Sequence, residues 1–420
     1  MPDCGFSQRI IDSLRKGIPP QKGIENYAVG YDKLLGDIDK YHFSSIRDVG
    51  IIRFVNGSWG AGKTHFFRML RNSAFRSLLL VSTVELNAGS TTLNKFESVF
   101  GAIIRNIAIP SHFDFSDDSD IAPFRRVLED SLIFMARREH CGGLPLTPQE
   151  FSRAKEQLFA DKAIDIDFKK MVQSYWDTFI ESSVEESQLN EKRETILQWF
   201  CGEGTLSQFK KSCGVSKIVT KDNAKLLLQS LSAFIIRSGF KGLLILFDEA
   251  EKSYSVISKV ALKAAHNNLL SLINNIDGLK GLFLLYATTP DFYTDQKHGI
   301  VTYGALSSRI GKPQDCLPRA LDIIWNLDTI QYDLKDYQNA AQKIAELYRS
   351  AYPDREGLPD VERLNRWVED YRKNYPKFAP VRFWRVLISG VVTFLDHSGE
   401  EGEQSPVEIL DDIMDRFREE

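Results

Sequence analysis

Eight consecutive residues in the first part of the chain have the types and spacing that bind the phosphates of a nucleotide. They match the pattern Gly-x-x-x-x-Gly-Lys-[Ser/Thr] in full. In this pattern the glycines let backbone N–H groups point at phosphate oxygens, the lysine reaches the β and γ phosphates, and the hydroxyl binds Mg²⁺. The sequence therefore predicts a site for ATP and Mg²⁺, here called the glycine loop, formed by Gly57, Ser58, Trp59, Gly60, Ala61, Gly62, Lys63 and Thr64.

The segments on either side of the glycine loop favour this interpretation over a chance glycine-rich turn. The β-rich residues 51–55 predict a strand directly before the loop, and residues 65–77 predict a helix directly after it. A strand, a glycine loop and a helix N-terminus in this order form a common phosphate-binding unit.

Two adjacent carboxylates follow a second apolar run. Residues 243–247 predict a buried strand, and Asp248 and Glu249 come directly after it. We predict that Asp248 contacts the metal and that Glu249 orients and deprotonates the attacking water. Many strands end in solvated acidic turns, but a complete glycine loop upstream favours the catalytic interpretation.

A third apolar run, residues 282–287, ends in two threonines. We expect this strand beside the first two, so the hydroxyl of Thr288 or Thr289 could reach the γ-phosphate or the water. Either threonine alone fits equally well a turn that ends a strand before Pro290.

Three arginines are candidates for contacts with the nucleotide. Arg309 ends a helical stretch and could be an arginine finger for a neighbouring subunit's ATP, although the helix dipole also favours a surface arginine there. Arg382 and Arg385 are three residues apart at the start of a later helix and share one face. Contact with the nucleotide and a solvated pair are both compatible with that pattern.

Strands alternate with helices around these residues, which predicts an α/β fold with a doubly wound, mainly parallel P-loop sheet. About 180 residues separate Thr64 from Asp248, far more than short-loop βα units need, and the excess has helical patterning. The predicted organisation is an N-terminal helical segment of the core (1–50), the first part of the P-loop core (51–110), a helical insertion (111–235), the second part of the core (236–330) and a helical lid (331–420).

The composition predicts a soluble cytoplasmic protein. Hydrophobic residues make up 43% and charged residues 26%, the usual balance of a globular chain. The net charge of −4 excludes a strongly basic nucleic-acid coat protein. The five cysteines form no CxxC pair, which is typical of a reducing compartment, and no apolar run approaches the length of a membrane span.

Taken together, these features resemble the AAA+ ATPases. The glycine loop, the Asp-Glu pair, a threonine after the third strand, a late arginine and an all-helical C-terminal part occur in that family's order. The resemblance implies that Arg309 is the arginine finger and that Arg382 is the second sensor.

A closer resemblance is to the ATP-binding proteins of BREX-type phage-defence systems, which are themselves similar to the Orc/Cdc6-like branch of these ATPases. It covers most of the predicted core and lid, and it implies that His65, Val29 and Gly30 also contact the nucleotide. The similar stretches are residues 11–20 followed by Val29 and Gly30, residues 60–67, residues 380–383 and residues 394–396.

This resemblance implies an ATP-hydrolysing motor or switch subunit of a DNA-directed anti-phage complex. An ATP-dependent homo-oligomer, other defence-system proteins and DNA are the candidate partners. The alternative is a nucleotide-gated signalling scaffold that acts through protein partners without DNA, and stimulation of hydrolysis by DNA would distinguish the two. A small-molecule kinase is disfavoured because the lid helices look like those of an oligomer-type lid.

Overall fold

The structure is a computed structural model. The structure describes residues 3–20, 22–86, 91–109, 123–140, 143–181, 184–248, 258–376, 382–399 and 405–418.

A six-stranded sheet forms the centre of the molecule, with the order β3-β2-β4-β5-β1-β6. The short β3 pairs antiparallel with β2, and the other neighbours are parallel. The sheet is thus mainly parallel, as predicted. Its strands are β1 (Ile51–Asn56), β2 (Leu79–Glu85), β3 (Ile107–Ala108), β4 (Gly242–Asp248), β5 (Leu282–Thr288) and β6 (Ile324–Asn326).

The order of the strands brings the predicted site segments together. β5 lies between β1 and β4 and pairs with both, as expected for the strand that ends in the two threonines. All seven residues of β4 and of β5 are buried, which agrees with their continuous apolar sequences. β3 and β6 were not predicted because two or three residues are too few to show a strand periodicity.

Helices surround the sheet. The helix predicted after the glycine loop is present as α3. The helices up to residue 310 are α1 (Cys4–Arg15), α2 (Asp32–Ile38), α3 (Lys63–Arg76), α4 (Phe96–Arg105), α5 (Pro123–Arg137), α6 (Pro148–Ala160), α7 (Ile166–Asp177), α8 (Glu186–Phe200), α9 (Leu206–Cys213), α10 (Ala224–Arg237), α11 (Lys259–Asn274), α12 (Pro290–Thr294) and α13 (Gly304–Ile310).

Four further helices form the described residues of the C-terminal part. Three of them agree with the helices that the amphipathic patterns of residues 336–350, 361–373 and 381–396 predict, and the last was not predicted. They are α14 (Leu334–Ala351), α15 (Val361–Asn374), α16 (Phe383–His397) and α17 (Pro406–Arg418). Across the described residues, no helix combines the length and the apolar character that a membrane crossing requires.

Two hydrophobic cores lie on opposite faces of the sheet, because alternate residues of each strand point to opposite sides. Leu243 and Ile245 of β4 belong to the first core, which continues without a break into the helices α5 to α10. Leu244 and Leu246 belong to the second core, which includes α1, α3 and the C-terminal helices. The helical segment between β3 and β4 therefore shares its core with the sheet.

The N-terminal helix packs on the C-terminal helices. Arg15 at the end of α1 donates from two nitrogens to the carboxylate of Asp396 in α16, at 2.8 and 2.9 Å. Gly17 follows the helix with a φ of 67°, a left-handed conformation that glycine adopts without strain. The contact between this N-terminal helix and the C-terminal helices was not predicted from the sequence.

Candidate nucleotide-binding site

The glycine loop lies between the end of β1 and the start of α3. Gly60 and Gly62 have φ angles of 75° and 89°, which side chains rarely allow. A Cβ atom at Gly57 would lie 2.8 Å from the Cβ of Ala61, so the first glycine is required by the tightness of the turn. α3 begins at Lys63, two residues earlier than predicted, and its first turn therefore includes Lys63 and Thr64.

Lys63 is held over the loop. Its side chain is 9% exposed, and its Nζ donates to the carbonyl oxygens of Gly57 at 2.8 Å and Ser58 at 3.4 Å. The loop carbonyls thus fix an ammonium group at the N-terminus of α3. A helix N-terminus and a lysine at one place favour an anionic ligand.

Thr64 and Asp248 meet across two elements. The Thr64 hydroxyl donates to Oδ2 of Asp248 at 3.1 Å, which joins the first turn of α3 to the carboxyl end of β4. Hydroxyl and carboxylate oxygens are ligands that Mg²⁺ prefers, and Mg²⁺ commonly uses one or two carboxylates together with substrate phosphates. These two residues therefore fit a magnesium ion bound with a nucleotide. Glu249, the predicted base, lies outside the described residues.

A cavity of about 470 Å³ adjoins this pair. Arg68 and Arg71 of α3 line it together with Glu85 at the end of β2. Burial lowers the pKa of Arg68 and lowers that of Arg71 to about 10. Neither arginine was predicted as part of the site, although both follow Thr64 at helical spacing and so share its face.

The two threonines after the third strand differ in their surroundings. The Thr288 side chain is 1% exposed, and its hydroxyl contacts the carbonyl of Val55 at 3.2 Å and the hydroxyl of Tyr293 at 2.9 Å. The carbonyl of Thr288 accepts the N–H of Gly57 at 3.1 Å. Thr288 thus holds the start of the glycine loop through its backbone carbonyl. Thr289 is half-buried just after the end of β5.

Asp328 joins the glycine loop to the C-terminal helices and was missed by sequence reasoning. Its Oδ2 accepts the backbone N–H of Ser58 at 2.9 Å and the Ser58 hydroxyl at 2.6 Å. Its Oδ1 accepts a hydrogen bond from the guanidinium of Arg382, directly before α16. Because Asp328 follows the short strand β6, which has no sequence pattern of its own, nothing in the sequence singled it out.

The second arginine of that helix start also contacts the loop. The guanidinium carbon of Arg385 lies 5.5 Å from the ring centroid of Trp59, whose side chain is 68% exposed. Arg382 and Arg385 therefore approach the loop through different partners. Contact of either arginine with the nucleotide stays a prediction, and the Arg382 side chain is 42% exposed.

Arg309 lies elsewhere on the molecule. It is exposed on α13 and donates a hydrogen bond to the side chain of Asn274 in α11. No described contact joins it to the glycine loop of its own chain. Its role as a finger for a neighbouring subunit stays a prediction.

The three residues that the resemblance added lie beside the loop. The imidazole of His65 packs between Tyr27 and Tyr31, with ring centroids 5.6 and 5.9 Å away, and burial lowers its pKa to about 4. The Tyr31 hydroxyl lies 3.4 Å from the position of a Cβ at Gly62. The segment containing Val29 and Gly30 therefore borders the loop, and His65 is neutral at physiological pH. Contact of these three residues with the nucleotide stays a prediction.

The glycine loop lies between a strand and a helix, and the carboxylate of Asp248 lies at the end of β4 in the same mainly parallel sheet. These features define a P-loop-like α/β protein. In agreement with this class, a family model described as "BREX system ATP-binding protein BrxC/D" matches residues 6–411. The chain therefore belongs to this family of ATP-binding proteins. No curated protein and no solved structure gave a match.

The family match confirms the resemblance to BREX ATP-binding proteins. The placement in the Orc/Cdc6-like branch stays a prediction. Among the described residues, no group of three or more His, Cys, Asp or Glu side chains is arranged to hold a metal ion. A magnesium ion bound with ATP does not need such a group, because phosphate oxygens and water complete its coordination.

Proposed function

We propose that this chain binds Mg-ATP at the glycine loop and hydrolyses it, as a motor or switch subunit of a DNA-directed anti-phage complex. The observation that carries the proposal is the 3.1 Å hydrogen bond between Thr64 and Asp248. It joins the loop hydroxyl that is expected to bind Mg²⁺ to the carboxylate at the end of β4. Membership of a BREX ATP-binding family supports the ligand and the setting in phage defence.

The roles of the residues follow from their chemistry. The loop N–H groups and Lys63 bind the phosphates, and Thr64 and Asp248 would hold Mg²⁺, which neutralises charge on the β and γ phosphates when bound. Glu249, next in sequence to Asp248, is proposed as the base that takes a proton from the attacking water. Thr289 is the better candidate to contact that water, since the Thr288 hydroxyl is engaged with Val55 and Tyr293.

The C-terminal helices are proposed to act as a lid. Arg382 and Arg385 already contact residues of the glycine loop region through Asp328 and Trp59. A nucleotide bound in the loop would lie within the same group of contacts. We propose that Arg382 exchanges its contact with Asp328 for one with the γ-phosphate.

Binding is tested by titrating a fluorescent ATP analogue with Mg²⁺ into wild-type protein and the Lys63→Ala variant. Lys63→Ala should lose tight binding, because it removes the main charge partner of the β and γ phosphates. Lys33→Ala, which removes an exposed lysine of α2, is the matched control and should bind normally. Equal affinity of Lys63→Ala and wild type would refute the assignment of the loop.

A nucleotide-gated scaffold without DNA remains the second candidate, and the net charge of −4 favours it, because the overall field does not attract nucleic acid. The two functions are distinguished by measuring ATP turnover with and without duplex and single-stranded DNA, together with the mass of the particle with and without ATP. Turnover stimulated by DNA supports the first function. Slow turnover that is indifferent to DNA supports the second.

A further inference from the structure

A second cavity, of about 760 Å³, lies at the end of the sheet opposite the glycine loop. Gly239 and Lys280, which line it, come shortly before β4 and β5, so the cavity borders the amino ends of these strands. The glycine loop and Asp248 are at the carboxyl ends. The other wall of the cavity is formed by the helical segment between β3 and β4.

Five cationic side chains line this cavity, which we call the basic groove. They come from five separate parts of the chain, and among the described residues Asp161 is the single carboxylate that lines the groove with them. The whole chain has slightly more acidic than basic residues, 57 against 53, so this concentration of positive charge is local. The five are Arg47, Arg138, Lys162, Arg237 and Lys280.

The single carboxylate is already paired. Asp161 lies 3.2 Å from a guanidinium nitrogen of Arg237, which leaves the other four cations without a carboxylate partner in the lining. The acidic residues next to the groove in sequence, Asp48, Glu139 and Asp277, do not line it. The groove therefore keeps a net positive charge.

Contacts with the protein hold two of these side chains in position. Arg47 donates to the carbonyl of Phe240 at 3.1 Å, and Arg237 is held by Asp161. The backbone of Arg138 has a φ of 68°, a left-handed conformation that is uncommon for a residue with a side chain. It follows the last residue of α5 and turns the chain at the rim of the groove.

We propose that the basic groove binds the phosphate backbone of duplex DNA. Several lysines and arginines facing one groove form the electrostatic footprint of a polyanion. Proteins that bind single strands usually stack the bases on aromatic side chains, whereas the one aromatic residue among the described lining residues, Phe134, packs on His140 with centroids 4.7 Å apart. The groove thus offers charge for a backbone and no stacking platform. The choice of DNA among polyanions rests on the DNA-directed function proposed above.

One strand connects the basic groove to the pair formed by Thr64 and Asp248. β4 begins beside the groove at Gly242 and ends at Asp248, and α10, which carries Arg237 at its end, packs on β4 in the first core. A shift of the helical segment on binding DNA would therefore act on the strand that holds Asp248. This arrangement predicts that duplex DNA alters ATP turnover through the groove.

The test is the Lys162→Glu/Lys280→Glu variant, which reverses two exposed charges of the groove. Lys210→Glu/Lys211→Glu is the matched control, because it changes the net charge equally at two exposed lysines of α9 in the same helical segment. Binding of a short labelled duplex is measured by fluorescence anisotropy over a series of salt concentrations. A competing single strand of the same length is included.

The groove variant should bind duplex at least about tenfold more weakly than wild type, whereas the control should bind as wild type. The slope of log affinity against log salt should decrease in magnitude by about 1.8, since each lost phosphate contact contributes about 0.9. Thermal melting and binding of the fluorescent ATP analogue should be unchanged in both variants. If charge reversal disturbs folding, Lys162→Gln/Lys280→Gln tests the same contacts, with a smaller loss expected.

Three results would overturn the proposal: absence of duplex binding by wild type, an equal loss in groove variant and control, or wild-type affinity in the groove variant. Stronger competition by single strands than by duplex would overturn the choice of duplex. If the protein binds and hydrolyses ATP but does not bind DNA, the DNA-binding role of the basic groove is refuted and the ATP site is not. If the wild-type protein does not bind ATP specifically, the function proposed for the glycine loop is refuted, whatever the DNA result.

Discussion

Replacing Asp328 with Ala should weaken ATP binding although this residue lies outside the glycine loop. The carboxylate accepts the N–H and hydroxyl of Ser58 at 2.9 and 2.6 Å and also binds the guanidinium of Arg382. The variant removes all three contacts at once. The loop would then lose its hydrogen bonds to a residue that follows β6. The C-terminal helices would lose one of their contacts with the loop region.

The expected size follows from the exposure of each partner. One hydrogen bond to a charged acceptor is worth about 1.5–3 kcal/mol, but Asp328 is partly exposed, so in the variant water replaces much of what the two Ser58 donors lose. The side chains of Arg382 and Asp328 are 42% and 22% exposed, so solvent screens their ion pair, which is worth about 0.2–1 kcal/mol. We expect a loss of about 2 kcal/mol in stability. In the proposed ATP-bound state Arg382 has already left Asp328, so only the Ser58 hydrogen bonds affect ATP affinity. If about 1.4 kcal/mol of their contribution orders the loop, ATP affinity falls about tenfold.

The assay combines thermal unfolding with titration of a fluorescent ATP analogue. Asp328→Asn is the conservative variant: it keeps an acceptor oxygen for Ser58 but loses the charge, so its loss should be smaller than that of Asp328→Ala. Asp315→Ala removes an exposed aspartate from the segment that precedes β6 and should behave as wild type. ATP affinity of Asp328→Ala within about twofold of wild type would refute the reasoning.

Double-mutant cycles separate the two contacts of Asp328. The cycle with Ser58→Ala reports only the hydroxyl contact, because the backbone N–H stays in place. Its coupling free energy should still exceed that between Asp328 and Arg382, because the arginine side chain is 42% exposed and solvent screens its ion pair. The opposite order would show that the loop is held mainly by the C-terminal helices.

Three further predictions concern the base, the assembly and pH. Glu249→Gln should bind ATP but hydrolyse it about 10² to 10⁴-fold more slowly, as expected for loss of a general base, and unchanged single-turnover rates would place the base elsewhere. Mixing Arg309→Ala with Lys63→Ala subunits should restore part of the hydrolysis if Arg309 acts on the neighbour's ATP; a monomer in which Arg309→Ala hydrolyses normally would contradict this. Burial lowers the pKa of His266 from 6.5 to about 4, so its protonation opposes folding and stability is lost as the pH falls below 6.5. Between pH 6.5 and about pH 5 the free energy of unfolding should fall by about 1.5 kcal/mol. His266→Phe should reduce this pH dependence in denaturant titrations, and an unchanged pH profile in the variant would contradict the prediction.

The sequence by itself determined the local units of this protein. The glycine loop, its flanking strand and helix, and the apolar strands β4 and β5 are specified by residues close together in the chain, since backbone conformation and burial on both faces leave clear patterns. The family resemblance was likewise contained in short motifs. For the same reason Lys63, Thr64 and Asp248 could be assigned to one site before their distances were known.

Only the tertiary structure decided which distant residues complete these units. The contacts of Asp328 with Ser58 and Arg382 join three segments whose spacing in the chain carries no pattern. The core that the helices α5 to α10 share with the sheet, and the basic groove assembled from five segments, are also invisible in the sequence. Local patterns record the conformation of each segment, whereas packing between segments depends on side chains that meet only after the chain has folded.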